Sequence, residues 1–329
     1  MTRVLIIGGG GMVGQKLAAH IAQQGLRGDA SPDVTLFDRA FPASGAPGRA
    51  VSGDLTDSAA IQSLVSQRFD VIFHLAAIVS GEAEVDFAKG WTINGTAFLE
   101  FAHMIEAEHR ASEGAWVPRL VFTSSIAVYG PPFPDPIPDD FPPNPQTSYG
   151  AQKACGELVI NDLGRRGIAE SVAIRLPTIA VRPGAPNKAA SSFFSGIIRE
   201  PLQGQEAILP VSPEVRHWHA SPRAAVAFCV HAATLDAAAL EGSRVLLMPG
   251  VSCTVGEQIE ALRRVAGEKP VALIRAEPDD LIKRIVAGWP HRFAPERALA
   301  LGFQAEPDFD TIIRIYIEDE MGGAEALKA

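Results

Sequence analysis

The chain of 329 residues is poor in cysteine, has no surplus of positive charge and lacks long apolar runs. Its three cysteines are an odd number without metal-ligand spacing, so we expect a reducing compartment and no metal. Lysine and arginine number 29 against 38 acidic residues, and the net charge of −9 argues against nucleic-acid binding. No apolar run reaches the ~18 residues of a membrane span, and no leader precedes the first strand pattern. We therefore expect a cytoplasmic protein that does not bind membranes.

Apolar residues make up 47% of the chain, enough for a sizeable core. Apolar strand-like runs alternate with amphipathic helical stretches, which predicts an α/β protein with a Rossmann-like, doubly wound parallel sheet. The predicted strands are 3–7, 34–37, 71–77, 120–123 and 171–175, and the predicted helices are 58–67, 94–110 and 149–163.

The pattern loosens after residue 175, which predicts a second domain. We place a dinucleotide-binding domain at 1–175 and a smaller C-terminal α/β substrate lobe at 176–329, with the chain crossing back to the first domain. Residues 177–223 read as loop-rich, and helices are predicted at 222–235, 255–266 and 279–287. The proline-rich segment 131–145 is predicted to be a long loop without regular structure.

Three glycines follow the first strand with the spacing Gly8-x-x-Gly11-x-x-Gly14. Such a turn reverses tightly, lets backbone approach a pyrophosphate, and presents a helix N-terminus to the phosphates. Asp38 ends the second strand, where a carboxylate accepts hydrogen bonds from ribose hydroxyls and repels a 2′-phosphate. This favours NAD, with NADP as the weaker alternative because Arg39 is adjacent.

Asp54 and Leu55 follow a strand-like pair at 50–51 and are candidates for contact with the adenine. The alternative for Asp54 is a structural one, as the cap of the helix that starts near Ser58.

Tyr149 and Lys153 stand four residues apart at the start of a helix and therefore share a face. A nearby ammonium group lowers the pKa of a phenol, which makes tyrosine a usable base. Ser125 lies at the carboxyl end of a predicted buried strand, where open α/β sheets place their ligands. Its hydroxyl can hydrogen-bond the reacting oxygen of a substrate.

These motifs resemble the extended short-chain dehydrogenase/reductases, in their epimerase/dehydratase branch. The resemblance covers about residues 1–235 and adds His74-Leu-Ala-Ala77, Asn94-Gly-Thr96 and Val128-Tyr129-Gly130. It implies a catalytic triad of Ser125, Tyr149 and Lys153, with His74 and Tyr129 structural. It also implies a homodimer formed through helices 94–110 and 149–163. The cofactor contacts that it implies are Gly8, Gly11, Met12, Val13, Gly14, Asp38, Asp54, Leu55, Leu75, Ala76, Ala77, Asn94, Thr123, Tyr149, Lys153 and Pro177.

Several members of this branch remain possible. Ile126 and Ala127 stand where 4,6-dehydratases carry acidic residues, so that class is disfavoured. The sequence from Arg175 departs from the segment that nucleotide-sugar 4-epimerases use, which puts a nucleotide-sugar substrate in doubt. A threonine-type dehydrogenase shares the fold and the triad. A binding module without activity is disfavoured because Tyr149 and Lys153 are both present.

Residues 182–223 hold five basic residues against three acidic ones, with His217 and His219 in addition. A local excess of donors suits a carboxylate-bearing substrate. The segments 182–201 and 216–223 resemble the D-erythronate dehydrogenases, which oxidise a four-carbon sugar acid at C2 to a 2-keto acid. We therefore expect a small sugar-acid substrate and hydride transfer to NAD with tyrosine as base. The predicted substrate contacts are Ser80, Ser125, Tyr149, Arg182, Asn187 and Arg216.

Overall fold

The structure is a computed structural model that describes residues 1–184, 190–240 and 242–323. The chain divides into two compact units. Unit 1 consists of Met1–Val128, Thr147–Leu176 and Val226–Leu247, and unit 2 of Tyr129–Gln146, Pro177–Ala225 and Met248–Ala329. The boundaries between the two units therefore fall after residues 128, 146, 176, 225 and 247. The sequence predicts a main domain boundary at 175.

Within the described residues, unit 1 contains one sheet of seven strands, all of whose pairings are parallel. The strands are β1 (Arg3–Ile7), β2 (Asp33–Asp38), β3 (Arg49–Ser52), β4 (Val71–His74), β5 (Arg119–Ser125), β7 (Glu170–Leu176) and β11 (Val245–Leu247), in the order β11-β7-β5-β4-β1-β2-β3. Central strands are buried on both faces and so read as continuous apolar runs. The predicted α/β fold class with a doubly wound parallel sheet is confirmed.

Helices connect these strands and bury their apolar faces on the sheet. They are α1 (Met12–Gln24), α2 (Ser58–Val65), α3 (Ser80–Val85), α4 (Phe87–Gly90), a π-helical turn (Trp91–Thr96), α5 (Ala97–Ala111), a 3₁₀ turn (Ile126–Val128), α6 (Ser148–Arg165), most of α8 (Pro222–Thr234) and a second 3₁₀ turn (Ala237–Leu240). One core cluster joins α2, α5 and α6 to the sheet through residues such as Phe98, Phe101 and Phe122. No helix in the described part of the chain is long and apolar enough to cross a membrane.

Unit 2 is built from short strands and helices around its own core. Its strands are β6 (Ile137–Pro138), β8 (Thr178–Ile179), β9 (Ala207–Leu209), β10 (Arg216–Ala220), β12 (Val251–Thr254), β13 (Ile274–Ala276) and β14 (Phe293–Ala294). Its helices are α7 (Ser192–Leu202), α9 (Val255–Ala266), α10 (Glu268–Val271), α11 (Asp280–Ala287), α12 (Glu296–Ala300) and α13 (Phe309–Glu320). Phe194, Leu262 and Ile313 lie in the core, and Thr254 and Glu257 form a capping box that starts α9.

Four predictions of local structure differ from the structure. The proline-rich segment 131–145 contains β6, which pairs with β14. The segment 177–223, predicted to be mostly loop, contains β8, α7, β9 and β10. The predicted helix at 94–110 starts as a π-helical turn at Trp91 and becomes α-helical only at Ala97. The strand predicted at 71–77 ends at His74, which leaves Leu75 to Ala77 free to line a cleft.

Candidate active site

The glycines that follow β1 have different structural duties. Gly8 has φ of +89°, a conformation that residues with a Cβ rarely adopt. A Cβ on Gly8 would lie 2.6 Å from the backbone nitrogen of Ala76, and a Cβ on Gly14 would lie 2.3 Å from the carbonyl oxygen of Gly8. Gly11 has φ of −72°, and its Cβ would meet nothing closer than 3.4 Å. Close packing therefore excludes a Cβ at Gly8 and Gly14, whereas a Cβ at Gly11 would enter unoccupied space.

The N-terminus of α1 is available to an anion. Within the described chain, no side chain caps this end of the helix, and its first turn contains no acidic residue. Met12 and Val13 open the helix and are half-buried. The unsatisfied N–H groups and the positive end of the helix dipole make this a suitable place for a phosphate.

Asp38 lies at the edge of a cleft of about 200 Å³ in unit 1. Its carboxylate accepts hydrogen bonds from the backbone N–H groups of Gly10, at 2.9 Å, and Arg39, at 2.7 Å. These two bonds fix the carboxylate at the mouth of the glycine turn. The cleft is lined by Ile7, Gly8, Gly11, Phe37, Asp38, Arg39, Gly53, Asp54, Leu55, Leu75, Ala76, Ala77, Ile78 and Ile93. Eight of the predicted cofactor contacts are therefore brought together here.

Asp54 lines the cleft but does not cap α2. Its carboxylate accepts hydrogen bonds from the backbone N–H of Thr56, at 2.9 Å, and from the Thr56 hydroxyl, at 2.7 Å. These bonds hold the pKa of Asp54 below its ordinary value. The cap of α2 is Asp57, which accepts hydrogen bonds from the N–H groups of Ala59 and Ala60. The capping alternative for Asp54 was therefore wrong.

Lys153 is anchored on β5. Its Nζ donates a hydrogen bond to the carbonyl oxygen of Thr123 at 2.7 Å and lies 4.6 Å from the centre of the Phe122 ring. The same nitrogen is 5.7 Å from the centre of the Tyr149 ring. Tyr149 is half-buried in the first turn of α6, whose N-cap is Thr147. The helix therefore brings the phenol and the ammonium group together, as the four-residue spacing predicts.

Ser125 is the last residue of β5 and is half-buried. Its Oγ accepts a hydrogen bond from the backbone N–H of Ala127 at 3.1 Å, which orients the hydroxyl at the strand end. Ser125, Tyr149 and Lys153 all belong to unit 1. Ser80 opens α3, which packs against α6 in the same unit.

Burial dominates the electrostatics of Lys153. It lowers the pKa of Lys153 to about 7, and the negative charge of Glu157 acts in the opposite direction. Burial likewise lowers the pKa of His74 to about 3, and the nearby Lys153 contributes to the decrease. His74 is neutral at physiological pH and packs among Phe98, Phe101 and Phe122, in keeping with a structural role.

Asn94 links the cleft to α6. It lies in the π-helical turn, and its side-chain amide accepts from the N–H of Ile78 and donates to the Ile78 carbonyl, at 2.9 and 3.1 Å. The same amide donates to Oε1 of Gln152 at 2.8 Å. Asn94 therefore fixes the segment after β4 relative to the residue before Lys153.

The remaining predicted contacts belong to unit 2. Pro177 precedes β8 and is buried. Arg182 donates its backbone N–H to Ser195 and accepts at its carbonyl from Arg199. Arg216 donates to the Ser252 carbonyl at 3.1 Å and pairs with Glu257 at 3.2 Å. Asn187 lies outside the described residues.

Three arginines in the described part of residues 182–223, namely Arg199, Arg216 and Arg223, are paired with carboxylates. Arg199 is buried and pairs with Glu200, while Arg223 pairs with two carboxylates of α13, Glu318 and Asp319. His217 and His219 are buried, and burial lowers the pKa of His217 to about 3 and that of His219 well below its ordinary value. Both imidazoles are neutral at physiological pH and supply no charge to a substrate carboxylate.

Sequence reasoning missed two parts of the site. The cleft also uses Phe37, Gly53, Ile78 and Ile93, which carry no motif of their own. A second group surrounds Glu157, which stands four residues after Lys153 and so shares its face of α6. That spacing was the available signal for Glu157.

The profile of the NAD dependent epimerase/dehydratase family matches residues 4–239. The chain belongs to this family. It is 46% identical to the D-erythronate dehydrogenase of Cupriavidus necator, over 96% of this chain and 98% of that protein. It is 40% identical to the D-erythronate dehydrogenase of Haemophilus influenzae, over 97% of this chain and all of that protein.

A crystal structure of a nucleoside-diphosphate-sugar epimerase from Agrobacterium tumefaciens is also similar, with 51% identity and a TM-score of 0.93. The match covers 98% of this chain and 95% of the other. The predicted membership of the epimerase/dehydratase branch is confirmed. As a member of an NAD dependent family, the chain uses a nicotinamide dinucleotide, and the side-chain-free turn at Gly8, Gly11 and Gly14 fits its pyrophosphate.

Proposed function

We propose that this protein is a D-erythronate dehydrogenase that oxidises the C2 hydroxyl of D-erythronate to 2-keto-D-erythronate with NAD⁺. The observation that carries the proposal is the match of nearly the whole chain to two D-erythronate dehydrogenases. The assembly of Ser125, Tyr149 and Lys153 in one unit supports the same chemistry.

Three side chains act on the reacting hydroxyl. Ser125 hydrogen-bonds the C2 oxygen, and the Tyr149 phenolate takes its proton. Lys153 stabilises that phenolate through its ammonium charge. When bound, NAD⁺ would supply the hydride acceptor; C2 would lose a hydride and its hydroxyl a proton to Tyr149, so that two electrons and two protons leave the alcohol as the ketone forms.

The cofactor is held by the residues of the cleft and the turn. We assign the pyrophosphate to the glycine turn with Met12 and Val13, and the adenosine to Asp38, Asp54 and Leu55. We assign its nicotinamide half to Leu75, Ala76, Ala77, Asn94, Thr123, Tyr149 and Lys153. Pro177 is a further proposed contact of the cofactor. Asp38 favours NAD over NADP because its anion repels a 2′-phosphate.

The substrate carboxylate needs positively charged or amide donors. Arg182, Asn187 and Arg216 are the candidates, with Ser80 as a further polar contact. Arg216 also donates a hydrogen bond to the Ser252 carbonyl and pairs with Glu257.

A homodimer through α5 and α6 completes the proposal. The two helices pack together, and Leu99 and Leu158 on them are 45% and 71% exposed. Covering such side chains favours association. Light scattering should give twice the chain mass, and Leu158→Glu should give the monomer.

The free thiols of all three cysteines support a cytoplasmic location.

The direct test follows NADH absorbance with purified protein, NAD⁺ and D-erythronate. Tyr149→Phe should bind NAD⁺ normally and lose most turnover, since the base is removed. Tyr316→Phe removes a different phenol, one that accepts a hydrogen bond from Gln203, and should retain activity. Normal turnover by Tyr149→Phe would show that the base is misassigned.

A nucleotide-sugar 4-epimerase is the second candidate, favoured by the Agrobacterium tumefaciens structure. An epimerase would interconvert UDP-glucose and UDP-galactose without net NADH. The same assay should therefore include both UDP-sugars, with L-threonine as a further substrate. NADH formation with D-erythronate alone supports the first proposal.

A further inference from the structure

Helix α6 is attached to β5 at three successive strand residues. At Gly156 the helix approaches so closely that a Cβ would lie 2.6 Å from Cζ of Phe122. Lys153 bonds the carbonyl of Thr123, and Ser124 Oγ donates to Oε1 of Glu157 at 2.5 Å. The next residue of the strand is Ser125. Along β5, the Ser124–Glu157 contact is therefore the attachment point adjacent to Ser125.

Glu157 is a buried carboxylate with both oxygens engaged. Arg175 at the end of β7 donates Nε to Oε1 at 2.8 Å and a terminal nitrogen to Oε2 at 2.7 Å. Glu157 is 3% exposed and Arg175 is 7% exposed. A two-bond arginine pair of this kind fixes the orientation of a carboxylate and places a positive charge beside it.

Lys153 responds to this anion because its own charge is poorly solvated. Tyr149 and Glu157 face it from α6 and His74 from β4, while β5 presents the Thr123 carbonyl and the Phe122 ring. Of these groups, Glu157 is the negative charge. Since burial brings the pKa of Lys153 to about 7, a modest change in local charge decides whether the ammonium form persists.

We propose that Glu157 is a positioning residue for the dehydrogenase reaction: held by Arg175, it ties the Tyr149 helix to Ser124 and keeps Lys153 in its ammonium form. The role depends on the function proposed above. It assigns Arg175 and Ser124 a purpose in addition to packing, because together they fix where the negative charge sits.

The test measures the ionisation of Tyr149 in the full-length chain without substrate. The chain has three tyrosines, so the near-ultraviolet absorbance of tyrosinate in wild type minus that in Tyr149→Phe isolates one phenol. Glu157→Gln removes the carboxylate, and Glu157→Gln/Arg175→Met removes both members of the ion pair. In each background the same Tyr149→Phe subtraction is made. We expect the Tyr149 midpoint to rise by about one pH unit, a tenfold change in its ionisation constant.

Asp162→Asn is the matched control, since it removes an exposed carboxylate from the same helix, one that pairs with Arg165. It should leave the midpoint unchanged. An equal shift in Asp162→Asn, or a shift below about 0.3 pH units in a folded Glu157 variant, overturns the proposal. A purely structural role would change unfolding without moving this midpoint.

Turnover separates this proposal from the proposed function. If wild type oxidises D-erythronate, the acid limb of its kcat/KM profile should move upward with the Tyr149 midpoint in the double variant. If wild type fails to oxidise D-erythronate while the Tyr149 midpoint still shifts, the substrate assignment fails and the role of Glu157 stands.

Discussion

Single substitutions of Gly11 and Gly14 by alanine should separate two roles of the glycine turn, close packing and binding of the pyrophosphate. At Gly14 the new methyl group would lie 2.3 Å from the Gly8 carbonyl oxygen and 2.8 Å from Cα of Gly9, far inside van der Waals contact. Overpacking of this kind costs about 1–3 kcal/mol, and Gly14→Ala should lower the free energy of unfolding by that amount. At Gly11, φ of −72° and ψ of 163° suit alanine, and the nearest atom is 3.4 Å away. Gly11→Ala should therefore change the free energy of unfolding by less than about 1 kcal/mol.

The affinity for NAD⁺ should respond to the two substitutions differently from the free energy of unfolding. The methyl group of Gly11→Ala would occupy the open side of the turn, where we place the pyrophosphate. Its Kd for NAD⁺ should rise about tenfold, equivalent to about 1.4 kcal/mol, in a protein of wild-type stability. Gly14→Ala should weaken NAD⁺ binding only to the extent that it also lowers the free energy of unfolding. Urea unfolding followed by circular dichroism and calorimetric titration with NAD⁺ give the two quantities.

Each variant can refute part of this reasoning. Wild-type affinity in Gly11→Ala would mean that the pyrophosphate does not lie against Gly11. Wild-type unfolding in Gly14→Ala would mean that the turn and α1 are packed less closely than the 2.3 Å approach indicates.

Three further outcomes are expected. The free energy of unfolding should fall as the pH drops below about 6.5, because histidines of the unfolded chain take up protons there while buried His74 and His217 stay neutral down to about pH 3. Each of the two histidines should lower the free energy of unfolding by roughly 2 kcal/mol at pH 5, which urea unfolding can measure. Asp38→Asn should weaken NAD⁺ binding about tenfold and reduce the preference over NADP⁺, measured as the ratio of kcat/KM values, because the charge opposing a 2′-phosphate is lost. A thiol reagent should modify Cys155 quickly and the other two cysteines slowly, because Cys155 is exposed and burial raises the pKa of the others to about 12.

The sheet and the turn could be predicted from sequence because their signals are local. β1, β4 and β5 are buried, and each contains a run of at least three consecutive apolar residues. The requirement for Gly14 follows from a contact within the turn, with the carbonyl oxygen of Gly8, whereas the requirement for Gly8 also depends on the distant Ala76. The pairing of Tyr149 with Lys153 follows from helix geometry alone.

The parts that were missed depend on distant residues. β6 forms because Ile137 pairs with Phe293, a partner that no local pattern reveals. The charge count in residues 182–223 does not reveal the partners of Arg223, which lie on α13. Pro201 weakened the helical signal of α7, yet it stands in the last turn, where the helix tolerates it. A window along the chain registers none of these long-range partners.

Seven of the buried polar residues of unit 1 lie where stability alone would favour apolar ones. They cluster around α6 and the carboxyl ends of β5 and β7, and they are Asn94, Thr123, Ser124, Gln152, Lys153, Glu157 and Arg175. A buried ion pair is often no more stabilising than uncharged residues of similar volume, because both ions lose their hydration. Removing the whole pair in Glu157→Gln/Arg175→Met should therefore leave unfolding nearly unchanged, while control over the ionisation of Tyr149 is lost. Such a separation would indicate that the pair is retained for the chemistry of α6 and contributes little to the stability of the fold.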